Sequence, residues 1–367
     1  MAGSSLGERL RVTTFGESHG PALGVVMDGL PGGFAIDLAR IQADLDRRKP
    51  AQSALVSPRR ESDRVEVLSG LFEGRTLGTP LTLLVRNTDA DPSSYEHFRD
   101  MYRPSHADWT TEARYGHRDW RGGGRASARE TAARVAAGAV LRQLLAPIEV
   151  LAWVQQIGDL VLPPSDPSDS PSFEEVESNP VRCPDPDLAA RMEALIREVR
   201  RDGDSVGGVV RGVIRGAPPG LGDPVFDKIE AALAGAMLSI PAARGFEIGS
   251  GYASARMRGS AHNDLFEPIS PGTPPSVRTL SNHSGGVQGG ITNGMPIVFT
   301  VAFKPVATIF KDQETVDRAG NRVTLRARGR HDPCVLPRAV PVVEAMALLV
   351  LGEHWLRARG NRPETSG

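Results

Sequence analysis

The stretch Arg121-Gly-Gly-Gly-Arg125-Ala-Ser127-Ala-Arg129-Glu130-Thr131-Ala132 joins a glycine run between arginines to the start of a helix. Ser127 followed by Glu130 has the spacing of a capping box, which predicts an alanine-rich helix continuing to about Leu145. Glycines let backbone N–H groups approach a ligand, and a helix N-terminus offers unpaired N–H groups. Arginines add fork-shaped donors. The stretch therefore predicts a site for a phosphorylated ligand, the alternative being a flexible arginine–glycine loop.

The composition of the 367-residue chain is that of an ordinary globular protein, with 40% apolar and 24% charged residues. A net charge of −1 gives no bulk attraction to nucleic acid or to an anionic membrane. Two cysteines, Cys183 and Cys334, are too few for a disulfide framework. The N-terminus does not resemble a signal peptide, and the longest apolar stretch, 345–351, is too short to span a bilayer. We therefore expect a cytoplasmic protein with no membrane or nucleic-acid partner.

Hydrophobic patterns predict strands and helices that mix without regular βαβ alternation, which favours an α+β fold over a doubly wound sheet. The predicted strands are two around a glycine turn within 9–30, then 65–71, 80–85, 206–214 and 297–303. The predicted helices are one capped by Asp37 and ended by Pro50, then 187–201, 225–240 and about 339–357.

Two segments lack periodicity and predict loops. Residues 102–119 are polar and rich in histidine and arginine. Residues 163–186 are rich in proline, serine and aspartate, a composition that buries too little apolar surface to order itself. We expect this second segment to be an exposed loop.

Three short motifs carry candidate catalytic groups. His19 lies in Gly16-Glu-Ser-His-Gly20, where glycines place an imidazole at a strand-end turn. His106 lies in Arg103-Pro-Ser-His-Ala-Asp108, and Asp332 follows Arg330-His331. The alternatives are solvated turn histidines and a weak surface ion pair. No histidine pair has metal-ligand helical spacing, so we predict no protein metal site.

Six motifs in succession resemble those of the chorismate synthase family, over residues 7 to about 357. They are Gly16-Glu-Ser-His-Gly20, Arg103-Pro-Ser-His-Ala-Asp108, the stretch from Arg121 to Ala132, Gly289-Gly-Ile-Thr-Asn-Gly294, Lys304-Pro305 and Gly329-Arg-His-Asp-Pro-Cys334. The resemblance implies a lyase of the shikimate pathway, in aromatic amino acid biosynthesis. The enzyme removes phosphate from 5-enolpyruvylshikimate 3-phosphate by 1,4-anti elimination, giving chorismate.

The resemblance also implies an architecture and a cofactor. The architecture is one domain over 1–367, with central helices sandwiched between two antiparallel sheets, assembled as a homotetramer. The cofactor is reduced FMN, required although the reaction has no net redox change. NADPH is a possible reductant in the family, and nothing in the sequence decides whether this chain uses it or needs an external reductase.

By motif position, the resemblance implies three groups of site residues. His19 and His106 would donate protons, one toward the leaving phosphate and the other toward the reduced flavin, and Asp332 would lie near flavin N5. FMN would contact Arg125, Ala126, Ser127, Gly289, Lys304, Pro305, Val306, Ala307, Thr308 and Arg330. The phosphate and carboxylates of the substrate would contact Arg47, Arg48, Arg103, Arg129 and Arg134.

The chain departs from the family pattern at a few of these positions. Ala126 stands where a second serine is usual, which removes one hydroxyl donor. Ser105 replaces a glycine before His106, Ala54 replaces an arginine found in some members, and 304–308 has fewer hydroxyls than many relatives. Both histidines and Asp332 are kept.

Two other classes of protein share parts of this pattern. A phosphotransferase could use the glycine–arginine loop for ATP, but a Lys-Ser/Thr after the glycines and acidic metal ligands are missing. An RNA-binding protein with arginine–glycine repeats would need aromatic platforms for base stacking, and only 5% of the residues are aromatic.

Overall fold

The computed structural model describes residues 3–52, 55–56, 59, 61–89, 91–163, 170–272, 275–327 and 332–361. The α-helices are α1 Leu38–Arg48, α2 Asp108–Tyr115, α3 Thr131–Leu144, α4 Phe173–Glu177, α5 Pro186–Arg201, α6 Ile229–Leu238, α7 Gly259–His262 and α8 Leu336–Asn361. Short 3₁₀ helices include Pro92–Phe98, Gly124–Ala126, Ala128–Glu130 and Gly251–Arg256.

The strands in the first half of the chain are β1 Ser5–Leu6, β2 Arg11–Phe15, β3 Ala22–Asp28, β4 Val65–Ser69, β5 Leu71–Phe72, β6 Arg75–Thr76, β7 Leu81–Arg86, β8 Glu149–Ile157 and β9 Leu160–Val161. Those in the second half are β10 Gly208–Arg215, β11 Ala243–Ile248, β12 Phe266–Ser270, β13 Ser276–Thr279, β14 Val287–Gln288, β15 Ile291–Thr292, β16 Ile297–Phe303, β17 Gln313–Val316 and β18 Arg322–Leu325.

Two five-stranded antiparallel sheets enclose a layer of helices. The strand orders are β1-β2-β3-β7-β4 and β11-β16-β10-β8-β9. Helix α3 packs on β2, β3 and β7 of the first sheet, whereas α8 packs on β8 and β10 of the second. The two helices also pack on each other, with α1 and α6 alongside. This arrangement confirms the predicted α+β fold with central helices between two sheets.

The central layer follows from helices that are apolar on nearly every side. In α8, the most apolar window is long enough to cross a membrane, but 89% of it is buried inside the protein. A helix that is apolar all round is stable in such a core. Gly138 of α3 lets the two helices approach closely, since a Cβ there would lie 2.6 Å from the Ala345 Cα.

The two predicted loops contain order that the sequence patterns did not reveal. Helix α2 occupies 108–115 within the predicted loop 102–119, so that prediction is wrong there. Its one fully buried residue is a carboxylate, Asp108, which leaves no apolar periodicity to detect.

The prediction of an exposed loop over 163–186 is wrong where α4 forms and at the buried residues 181–183, while 164–169 lie outside the described residues. Ser172 and Glu175 form a capping box at the start of α4. Val176 is fully buried against Trp153 and Val213 of the second sheet. Val181 and Cys183 are also fully buried. A few anchoring side chains order the segment in spite of its polar composition.

Candidate active site

The glycine run at 122–124 forms one wall of a cavity because it has no side chains. Gly122 has a φ of +72°, which favours glycine, and a Cβ there would lie 2.4 Å from His19 Nδ1. A Cβ on Gly123 would lie 3.4 Å from His106 Nε2. The run therefore lies against both predicted catalytic histidines, which come from distant parts of the chain.

The helix after the glycine run begins later than predicted, and the predicted capping box is wrong. Ser127 Oγ accepts from the backbone N–H of Arg129 at 3.3 Å and caps only the short 3₁₀ turn before α3. The Glu130 carboxylate does not complete a box; it accepts from Thr14 Oγ1 at 2.7 Å and from Arg134 Nε at 2.8 Å. A buried carboxylate gains more from a charged partner than from a backbone N–H.

The cavity has a volume of about 490 Å³ and a strongly cationic lining. The described residues that line it include eight arginines, one lysine and one carboxylate, that of Asp332. The basic residues are Arg48, Arg59, Arg103, Arg125, Arg129, Arg134, Arg244, Lys304 and Arg338. Such a lining favours anionic ligands.

His19 is held at the cavity wall by its neighbours. It is 8% exposed, and its Nδ1 lies 3.0 Å from Ser18 Oγ. The Tyr95 ring packs edge-on against the imidazole, with ring centroids 4.8 Å apart. These contacts give the ring a fixed orientation beside Gly122.

His106 reaches the cavity from a tight turn before α2. Ser105 has a φ of +57°, a left-handed conformation that favours glycine. The His106 Nδ1 lies 2.9 Å from Asp108 Oδ1. Burial lowers the pKa of His106 and the bond to Asp108 opposes this, while Arg103 and Lys304 add to the lowering.

Asp332 lies at the cavity with a cationic partner. Its Oδ2 accepts from Arg338 Nη1 at 2.7 Å, and Arg338 Nε also donates to the Arg48 carbonyl at 3.3 Å. Arg338 is in the first turn of α8, so the central helix positions the carboxylate.

Arg48 and Arg129 are held from behind by one buried carboxylate. Asp63 is fully buried, with Oδ2 3.1 Å from Arg48 Nη1 and Oδ1 bonded to Arg129 Nη1. Burial, followed by the charge of Arg338, lowers the pKa of Arg48, and Asp63 opposes this. Burial would raise the pKa of Asp63, but the two arginines lower it. Both guanidinium groups are therefore fixed before any ligand binds.

Arg125 and Arg134 line the cavity from either end of the Ser127 turn. Arg125 Nη2 donates to Thr14 Oγ1 at 2.7 Å, and its Nη1 donates to the Gly16 carbonyl at 3.0 Å. Arg134 Nη1 donates to Ser239 Oγ at 2.7 Å. Ala126 and Ser127 lie between them in the lining.

Part of the cavity lining is apolar. It includes the predicted segment from Lys304 to Thr308, which follows β16, and further apolar residues that the sequence did not single out. The latter are Ile240, Pro241, Val335, Ala339 and Val342. The cavity therefore offers both cationic groups and apolar surface.

Two predicted site residues lie elsewhere in the structure, and others fall outside its described part. Arg47 is not among the lining residues and pairs with Glu344 at 2.6 Å. Gly289 is also not among them; it lies in the β14–β15 turn. Arg330 and Ala54 lie outside the described residues. Sequence reasoning missed Arg59, Tyr95, Arg244 and Arg338, which carry no motif signal of their own.

The site and fold together define a class of protein. Within the part of the chain that is described, no group of three histidine, cysteine or acidic side chains is placed to hold a metal ion. Two fixed histidines in a cationic, partly apolar cavity are typical of an enzyme that acts on a small anionic substrate.

Comparison with known proteins narrows this class to a family. Residues 10–356 match the chorismate synthase family. The chain is 57% identical to the chorismate synthase of Opitutus terrae, over 96% of this chain and 97% of that protein. It is 53% identical to that of Christiangramia forsetii, over 99% and 100%. A crystal structure of a chorismate synthase aligns with a TM-score of 0.75 at 33% identity, covering 96% and 93% of the two chains.

The chain belongs to the chorismate synthase family, as its six motifs predict. It is a carbon–oxygen lyase. The phosphotransferase and the RNA-binding alternatives find no support among these relatives.

Proposed function

We propose that this chain eliminates phosphate from 5-enolpyruvylshikimate 3-phosphate to give chorismate. The C–O bond breaks and inorganic phosphate leaves with its electron pair. A C–H bond across the ring gives up its proton to a base at the site, and the C–H electrons form the second double bond of the ring. The observation that carries this proposal is the cavity lining, with eight arginines and a lysine against one carboxylate. A substrate with one phosphate and two carboxylates matches that imbalance of charge.

The residues present also fit reduced FMN. A volume of about 490 Å³ falls within the range of ligand cavities. The apolar wall formed by Ile240, Val335 and Val342 suits a planar ring system, and Arg125 with Ser127 suits its phosphate. The segment from Lys304 to Thr308 would hold the ring edge. Gly289 and Arg330 remain predicted contacts from motif position alone. When bound, reduced FMN supplies a recoverable source of electron density, so that the elimination has no net redox change.

The two histidines are proposed as the proton donors. One donates toward the leaving phosphate and the other holds a proton toward the flavin. Burial lowers the pKa of His106, but a phosphate dianion beside the ring would favour its charged form and raise that pKa. Substrate binding thus keeps His106 protonated and able to donate. Asp332, held by Arg338, is proposed to act near the reduced flavin.

The arginines are proposed to bind the substrate anions. Arg48, Arg129 and Arg134 line the cavity, and each is fixed by a carboxylate or a hydroxyl. Guanidinium groups held in place lose little conformational entropy when an anion arrives.

We also propose that the chain acts in the cytoplasm as a homotetramer. Large apolar side chains on the two-stranded β12–β13 ribbon and in a loop before α6 support an assembly. Phe226 is 93% exposed, and Leu265, Phe266, Ile269 and Leu280 are each more than half exposed. Exposed apolar patches of this kind mark interaction sites.

An anaerobic assay with photoreduced FMN tests the proposal. We expect phosphate release to require reduced flavin, with no stoichiometric oxidation of the flavin during turnover. Phosphate release at an equal rate without flavin would contradict the proposal. Repeating the assay with oxidised FMN and NADPH shows whether the chain reduces its own flavin. Filter binding with single-stranded RNA tests the remaining alternative.

A further inference from the structure

The carboxylate of Asp108 joins His106 to Arg103. Asp108 is the first residue of α2 and is 5% exposed. Its Oδ2 accepts from the Arg103 backbone N–H at 3.0 Å and from Arg103 Nε at 2.7 Å. Its Oδ1 accepts from Arg103 Nη2 at 2.7 Å and lies 2.9 Å from His106 Nδ1. One buried carboxylate thus serves a catalytic imidazole and a bidentate arginine.

Arg103 is committed to this carboxylate. It is 4% exposed, and its guanidinium lies 4.6 Å from the centre of the Phe98 ring. Two of its side-chain N–H groups and its backbone N–H all point at Asp108. The edge of the guanidinium formed by Nε and Nη2 is therefore occupied by Asp108.

We infer that Asp108 is the positioning residue of His106, that Arg103 positions Asp108, and that Arg103 is not a direct substrate contact. This inference rests on the proposed role of His106 as proton donor. A carboxylate at Nδ1 fixes the proton there and sets the ring plane. The other nitrogen, Nε2, lies toward Gly123 of the cavity lining and is left to exchange a proton with the ligand.

The charges around His106 show why a carboxylate is needed. Arg103 and Lys304 both disfavour the imidazolium, as does burial. Lys304 donates to the Ser105 carbonyl at 3.2 Å, and Arg118 Nη1 lies 3.6 Å from Asp108 Oδ1. Among these groups Asp108 supplies the negative charge. Burial would raise its pKa, but the bonds from Arg103 and His106 hold that pKa far below its usual range.

Histidine nitrogen shifts of isotope-labelled protein, recorded through a pH titration without flavin or substrate, test the positioning role apart from activity. A His106→Gln variant assigns the signal. In Asp108→Asn we expect the pKa of His106 to fall by about one pH unit or more, with an altered tautomer population. Glu112→Gln is the matched control, because Glu112 lies one turn further along α2 and pairs with Arg118 and Arg318. An unchanged pKa and tautomer in Asp108→Asn would overturn the inference.

Kinetics with reduced FMN separate the two roles of Arg103. If Arg103 acts through Asp108, Arg103→Gln lowers kcat as Asp108→Asn does, with a small change in KM. It shifts the pH profile of kcat in the opposite direction, because it removes a positive charge that disfavours the imidazolium. We expect at least about a tenfold loss in kcat for both variants near neutral pH. A higher KM with the kcat profile unmoved would overturn the inference and return Arg103 to substrate binding. If the parent protein lacks activity, the proposed function fails, while the titration still reports on Asp108.

Discussion

Arg47 and Arg48 are neighbours at the end of α1, yet they belong to two different electrostatic environments. Arg47 lies in a buried cluster where Arg47, Arg142 and Arg182 meet Asp44, Glu177 and Glu344. Arg48 lines the cationic cavity. Burial acts to lower the pKa of Arg47, but Glu344, Glu177 and Asp44 together outweigh it and raise that pKa. For Arg48, burial and the nearby arginines lower the pKa.

The difference separates structural from ligand-binding arginines. In the cluster around Glu344 the opposite charges balance, so folding alone satisfies them. In the cavity, positive charge remains after Asp63, Asp108 and Glu130 are paired. Bringing these positive charges together costs free energy on folding, and the charge of a bound anionic ligand offsets that cost. The comparison predicts that cavity variants lose function first, whereas cluster variants lose stability first.

The largest effect is expected at the histidines of the cavity. His19→Ala and His106→Ala should each lower kcat by about 10²–10⁴-fold, because each removes a positioned proton donor. The free energy of unfolding should change far less than this loss of transition-state stabilisation. Turnover with reduced FMN and urea unfolding check the two expectations. A variant with near-normal kcat would show that its histidine is not a catalytic acid.

The next largest effect is expected at Glu344 of the balanced cluster. Glu344→Ala removes a carboxylate shared by Arg47 and Arg142, although Glu177 and Asp44 remain as partners, so it should cost about 1.5–3 kcal/mol of stability. Glu344→Gln keeps the shape and part of the hydrogen bonding, so its loss should be smaller. The KM for the substrate should be the same as in the parent for the fraction of the variant that remains folded. A raised KM with unchanged stability would contradict the assignment of this cluster to structure.

The same carboxylate predicts a pH dependence of stability. Burial would raise the pKa of Glu344, but Arg47 and Arg142 outweigh it and lower that pKa below its unfolded value. The resulting stability is present above the unfolded pKa of about 4.3, and is lost as the pH falls through the folded pKa. Urea unfolding from about pH 6 to pH 3 should therefore show a smaller decline for Glu344→Gln than for the parent. Equal declines would contradict this.

The smallest effect is expected at Ser127. Its cap serves only a short 3₁₀ turn, so Ser127→Ala should lower stability by about 0.5 kcal/mol, the low end for an N-cap. Loss of a neutral hydrogen bond to FMN should weaken binding by about threefold to tenfold. Ser127→Asp keeps the cap and repels the anion, so FMN affinity should fall further while the melting temperature holds. FMN titrations and melting curves of the protein without ligand measure both, and parental affinity in Ser127→Asp would place the phosphate elsewhere.

Much of the fold could be predicted from local patterns. The strands around the Gly16 turn, the capped helix α1 and the long helix α8 all lie where apolar periodicity placed them. Helices α2 and α4 could not be found in this way. The first buries a carboxylate and the second a single valine, and neither gives a periodic signal.

The motifs identified many of the cavity residues, because each combines glycine or proline with a chemically active side chain. His19, His106, Ser127 and Asp332 all line the cavity. Arginines outside the motifs were harder to assign to the cavity from sequence. All but four of the 43 basic residues are arginine, so the residue type alone does not mark a ligand-binding position. Successive helix residues point about 100° apart, so only the structure separates Arg47 from Arg48.

The most direct test of the account is the dissociation constant of the phosphorylated substrate, measured by calorimetry for Arg47→Gln and Arg48→Gln in the absence of flavin. Losing a charge-assisted contact in the cavity should weaken binding about tenfold to a hundredfold in Arg48→Gln. In Arg47→Gln the dissociation constant should stay within about twofold of the parent while the free energy of unfolding falls. Equal losses of affinity in the two variants would contradict the distinction between a balanced structural cluster and a cationic active site.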